Sequence, residues 1–187
     1  LLIGLGAAIL VPYMNLFFVE RYGFQSGLLG AVFSLSALIT GLSSMVGPRL
    51  AFKFGSKIKT VVVTQSSSLV FLLLLGFAPF GWLAVVGFLM RAALMNMASP
   101  LYSAFVMEPV PERQQGTVNS VMNTVWVLGW AIGPFVSGLV QQRYGFTPLF
   151  IATAMFYGLA VFFTWLFFHK HEIPVSTRIL QPEVVAE

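Results

Sequence analysis

Residues 47–59 read Gly47-Pro48-Arg49-Leu50-Ala51-Phe52-Lys53-Phe54-Gly55-Ser56-Lys57-Ile58-Lys59. Arg49, Lys53, Lys57 and Lys59 fall in this stretch with no acid among them. The chain is apolar on both sides, from about Leu28 to Val46 before it and from about Val61 to Phe80 after it. Each flank is close to the ~20 residues a helix needs to cross hydrocarbon. A short basic segment between two such runs has the form of a loop on the cytoplasmic face of a membrane, where Lys and Arg accumulate.

The same pattern continues outward. Further apolar runs cover about Leu1 to Val19, Trp82 to Met107, Thr117 to Val140 and Pro148 to Phe168. They are separated by Glu20-Arg21, the Ala78-Pro79-Phe80-Gly81 turn, the polar segment from Glu108 to Arg113, and Gln141-Gln142-Arg143-Tyr144-Gly145. None alternates polar with apolar, and each is about twice the length of a tilted membrane strand, so helices are expected. The prediction is an all-α integral membrane protein, a bundle of six transmembrane helices over residues 1–168. Residues 169–187, polar and holding Pro174 and Pro182, are expected to form a disordered cytoplasmic tail.

Composition excludes most other classes. Hydrophobic residues make up 58% of the 187 and charged residues only 9%, against about 25% charged in a soluble domain. An ordinary soluble enzyme, a nucleic-acid binder and a disordered regulator are ruled out. The absence of Cys excludes disulfides and thiolate ligands. Leu1-Leu2-Ile3 enters an apolar run directly, without initiator Met or basic flank, so the chain is expected to be an excised half rather than to begin with a signal peptide.

With six crossings, Arg49, Lys53, Lys57, Lys59, Arg113, Lys170 and Arg178 share one side of the membrane, and Arg21 and Arg143 the other. The bias places the first side, and both chain ends, in the cytoplasm. Arg21-Tyr22-Gly23-Phe24 is echoed by Arg143-Tyr144-Gly145-Phe146. The echo suits either two three-helix units of similar plan or a common aromatic-Gly turn at the interface.

Arg91 stands near mid-depth of the fourth run, where a charge costs at least ~2.5–3.5 kcal/mol. Winding that run as one helix at about 100° per residue puts Asn96, Ser99 and Tyr102 within about 140° of Arg91 on one polar face. Arg91 reads as a countercharge for an anionic substrate or for a carboxylate in a moving gate, or else as a structural Arg bonding backbone carbonyls. On the fifth helix Asn123, Trp126 and Trp130 form a stripe, either a cavity wall or an interhelical contact. Pro12 is expected to kink the first helix beside Tyr13 and Asn15. Ser36, Thr40, Ser43, Ser44 and Gly47 read as a close-packing face. All six carboxylates lie in loops, helix ends or tail, so no buried acid could carry a coupling proton. No mid-span base, metal set or Gly-x-Ser-x-Gly supports an intramembrane enzyme, and no cofactor is expected. A non-transporting six-span scaffold or receptor remains as the alternative.

The 47–57 segment resembles the Gly-x-Leu-Ala-Asp-Arg-x-Gly-Arg-Arg loop of the major facilitator superfamily, found after the second helix of each six-helix half. Leu50, Ala51, Lys53, Gly55 and Lys57 fit, Gly47 is displaced by one, Phe52 replaces the acid and Ser56 a basic residue. Gly129-x-x-x-Gly133-Pro134-x-x-x-Gly138 is similar to the Gly-rich, Pro-containing fifth helix of antiporter members. The resemblance implies one half of a twelve-helix fold, and the worn loop suggests helices seven to twelve. It further implies secondary transport of a small-molecule substrate by alternating access, efflux type included, with a missing N-terminal six-helix half as partner. By resemblance, Gly47, Lys53, Gly55 and Lys57 form a cytoplasmic gating loop, and Tyr13 and Asn15 join the helix-four face along the cavity. The expected location is a bacterial inner (plasma) membrane, with the lipid bilayer as surroundings and no nucleic-acid partner.

Overall fold

Proline and glycine punctuate this chain, and they account for most of its helix boundaries. The structure, a computed structural model, describes residues 2–107 and 110–168. Its helices are α1 (Leu2–Leu10), α2 (Met14–Tyr22), α3 (Ser26–Phe54), α4 (Lys57–Phe77), α5 (Gly81–Met97), α6 (Ser99–Met107), α7 (Glu112–Tyr144) and α8 (Thr147–Phe168). A 3-10 turn, Val11–Tyr13, joins α1 to α2. The eight helices make six candidate membrane spans, because α1 with α2 and α5 with α6 each run on as one. The six-span, all-helical architecture expected from the sequence is present. The expected tail, 169–187, lies outside the described residues.

Both interrupted spans break at a proline. Pro12 has no N–H to give the Ala8 carbonyl, and the helix tightens into the 3-10 turn there. Pro100 likewise cannot donate to Asn96, whose carbonyl accepts from Ala98 N–H instead, at the end of α5. Reading residues 82–107 as one continuous helix therefore needs correction at one point: the helix breaks between α5 and α6 at Ala98, whose backbone stays helical (φ −76°, ψ −22°).

The expected loop at 47–57 also needs correction. α3 runs 29 residues, through Gly47, Pro48 and Lys53 to Phe54, a length of about 43 Å. That exceeds a hydrocarbon core of about 30 Å, so the basic residues ride on helix ends beyond the apolar layer. The connection is only Gly55-Ser56. Gly55 sits at φ 66°, a left-handed conformation that costs glycine little. Ser56 caps α4 by accepting the Lys59 N–H at 2.9 Å.

The core gathers at the end of the bundle opposite this turn. Phe17 contacts Phe150 at 5.0 Å and Phe146 at 5.3 Å between ring centroids, and Phe18 contacts Phe24 at 5.3 Å and Phe88 at 5.7 Å. Arg21 donates to the Gly76 carbonyl at 3.1 Å and Tyr22 to the Ala78 carbonyl at 2.8 Å. These are end-of-helix carbonyls of α4 without helical donors of their own. At the opposite end the buried cluster is only Ala51, Val61, Ala98 and Leu101.

The two echoed turns both use a glycine at positive φ but differ in conformation: Gly23 (φ 67°, ψ 29°) is left-handed helical, whereas Gly145 (φ 72°, ψ −162°) is not. Phe24 and Phe146 both pack on the main core. A tandem of three-helix units would instead match the turn after the first span to the one after the fourth. The echo is thus an aromatic-glycine pattern used in two different turns.

α4 packs on α5 and α8, α5 on α3, and α1 on α7 and α8. The remaining faces of α3 and α7 are open: 22% and 17% of their spans are buried, against 44% for the first and third spans.

Candidate functional site

Arg91 is buried, at 5% exposure, on α5. Its Nη2 donates to the Tyr157 hydroxyl at 2.8 Å, and its Cζ lies 5.6 Å from that ring's centroid. Its Nε is buried without a partner. No carboxylate of the described residues pairs with it. A guanidinium carries five N–H donors; here one is bonded to Tyr157 and the Nε–H is buried without a partner, which leaves a donor for an anion.

The other residues expected on the Arg91 face do not gather around it. Asn96 turns its amide back to the Ala92 carbonyl of its own helix, at 2.8 Å. Ser99, beyond the break, is exposed. Tyr102 lies on α6, where with Lys57, Ile58, Val61 and Thr164 it lines a small crevice at the basic end.

The first span places its two candidates differently. The Tyr13 hydroxyl donates to the Pro134 carbonyl on α7 at 2.7 Å and sits against Gly138, where a Cβ would collide with it. Ala8 fills the space beside Gly133 in the same way. The Gly129…Gly133-Pro134…Gly138 pattern thus forms the seat for the first span, with Tyr13 as its polar lock. Asn15 is exposed and lines an open cleft of about 430 Å³ with Ser26, Leu29, Gly30 and Phe33.

On α7, Asn123 is exposed. Trp126 is 42% exposed, and its ring lies where a Cβ on Gly4 would be, 2.9 Å from Cε3. Trp130 is half-buried with its indole N–H unpaired. Pro134 removes the N–H that would bond the Trp130 carbonyl, so donor and acceptor of one residue are both left short.

Of the gating set, Gly47 lies inside α3 directly against the Met97 carbonyl at the α5–α6 break. Lys53 is exposed in the last turn of α3, Gly55 forms the turn, and Lys57 opens α4. The small-residue face of α3 does bury Ser36, Ser43 and Gly47, as packing requires.

Tyr157 and Thr153 did not stand out in the sequence. Both lie in the last apolar run, where a Tyr counts as hydrophobic. The available signal was their spacing of four, one turn apart on a single face of α8.

An all-helical bundle of six spans with a buried, acid-free Arg defines a multi-pass membrane protein whose interior holds polar chemistry. The chain belongs to the Major Facilitator Superfamily, whose family model matches residues 1–184. It is 29% identical over 185 residues to the "Multidrug resistance protein MdtG" of Salmonella dublin, covering 95% of this chain and 44% of the relative. The protein of that name from Rahnella sp. (strain Y9602) is equally similar, at 29% over 185 residues, with 95% and 43% covered. The chain therefore spans less than half the length of these curated relatives. Its fold is half of the family's twelve-helix fold.

Proposed function

We propose that this chain is the C-terminal six-helix half, helices seven to twelve, of an efflux-type transporter in a bacterial inner membrane. Both its ends are cytoplasmic. It rocks against an N-terminal half around a central solute site, exposing that site to each side in turn. Phe52 in place of the loop's acid favours the second half, and the similarity to multidrug resistance proteins favours export of drug-like solutes.

The observation that carries the reading is the set of exposed polar side chains on otherwise apolar spans. Asn15, Ser99 and Asn123 are all exposed in this half taken alone. An unpaired amide facing lipid costs roughly 2–7 kcal/mol. A water-filled cavity closed by a second half removes that cost, and the open faces of α3 and α7 supply the seam. Arg91, buried on α5, is the cation available to an anionic solute or to a carboxylate of the other half.

The test is flux through the full-length transporter in proteoliposomes, with ethidium as cationic and carboxyfluorescein as anionic probe. Arg91→Gln is expected to reduce carboxyfluorescein flux by tenfold or more while the protein remains folded, and Arg91→Lys to retain part of it. An unchanged KM and flux in Arg91→Gln contradicts the role of Arg91. A folded wild type that moves neither probe favours a six-span scaffold.

A further inference from the structure

One face of α8 ties together the two spans that carry most of the polar candidates. Thr153 Oγ1 donates to the Gly6 carbonyl of α1 at 3.0 Å. One turn later the Tyr157 ring seats on the same glycine, so closely that a Cβ at Gly6 would stand 2.8 Å from its Cε1. Tyr157 is 2% exposed and Thr153 0%. The Tyr157 hydroxyl then accepts the Arg91 bond from α5.

We infer that Tyr157 is a positioning residue: its hydroxyl parks Arg91 inside the half while the site is empty, and the anionic group of the solute draws Arg91 out by displacing it. The inference rests on the reading of Arg91 as a transport countercharge. Three observations support it. The hydroxyl is the sole hydrogen-bond acceptor of Arg91 among the described residues. The guanidinium keeps an unpaired buried Nε, so the parked state is incompletely satisfied. A carboxylate offers two charged acceptors in the fork geometry that Arg prefers, and so outcompetes a single neutral phenol. With the ring held on Gly6, drawing Arg91 out breaks the hydroxyl bond and the contact with the ring face.

The test uses the full-length transporter with Tyr157→Phe, which retains the ring, and Thr153→Val, which removes only the neighbouring bond. Phenylglyoxal modification of Arg91 is followed by mass spectrometry, with exposed Arg143 as internal reference. Tyr157→Phe is expected to speed Arg91 modification about tenfold, the lower range for a hydrogen bond to a charged group, and to lower the carboxyfluorescein KM by a similar factor. Arg143 and Thr153→Val are expected to stay at wild-type rates. Equal Arg91 rates in wild type and Tyr157→Phe overturn the inference. So does equal acceleration by Thr153→Val, which would reflect a loosened α8. Faster modification with an unchanged KM leaves Tyr157 a packing partner and overturns its role in release. If Arg91→Gln itself leaves the KM unchanged, the transport reading of Arg91 has failed. If Arg91→Gln raises the KM and Tyr157→Phe leaves it alone, only this inference has failed.

Discussion

Arg91 adds little to the stability of this half. It brings a desolvated charge into the span and receives one neutral hydrogen bond and a ring face in return. Replacing a buried ion pair whole by apolar residues of similar volume is often neutral or stabilising by about 1–4 kcal/mol, whereas removing one partner strands the other. Arg91→Met made together with Tyr157→Phe is therefore expected to leave the thermal midpoint of the full-length transporter unchanged or raised while transport is lost. A midpoint lowered by several degrees would mark Arg91 as a structural strut. The residue was legible in the sequence because a mid-span charge is rare and costly. Its partner was not, since a Tyr in an apolar run gives no outward sign of which helix its hydroxyl meets. The expected face of Asn96, Ser99 and Tyr102 rested on an unbroken helix. Pro100 interrupts its hydrogen bonding by withholding one N–H, and Asn96 turns its amide back to Ala92 instead of toward Arg91.

The spans and their number followed from apolar run length, but their ends did not. Hydropathy marks where a helix leaves hydrocarbon, whereas the hydrogen-bonded backbone continues through the interface. α3 consequently extends past Val46 to Phe54, and α7 begins at Glu112 rather than Thr117. The loop expected at 47–57 shrinks to Gly55-Ser56, and Gly47 packs inside the bundle. A side chain at Gly47 would strike the Met97 carbonyl, while one at Gly30 meets nothing within 4 Å. Gly47→Val is expected to destabilise the protein by about 1–3 kcal/mol, the usual range for overpacking, whereas Gly30→Ala stays within about 1 kcal/mol of wild type. Thermal unfolding in detergent compares the two, and equal effects would contradict the close approach of α3 to the α5–α6 break. Gly133→Val, against Ala8, is expected to unseat the first span from α7 and to lower folded yield sharply. A Gly133→Val protein of normal yield would show that this seat is dispensable.

The whole molecule is a half with a dense aromatic end, a sparse basic end and two under-buried helices. The turns at Gly23 and Gly145 are assigned to the outer face and the Gly55 turn to the cytoplasm, on the basic bias alone. Alkaline phosphatase fused after Gly23 or Gly145 is expected to be active and after Gly55 inactive. The reverse pattern would invert the topology.

The chain contains no Cys, so a single introduced thiol gives a clean signal from this half. Asn15 and Ser99 are exposed toward opposite ends of the spans, and alternating access requires them to meet water in turn. The decisive measurement is alkylation of Asn15→Cys and of Ser99→Cys by a water-soluble maleimide, each in the full-length transporter with its other cysteines removed, with and without a transported probe. The account predicts reciprocal changes, one site labelled faster and the other more slowly when the probe binds. Rates that do not change, or that rise or fall together, would contradict it.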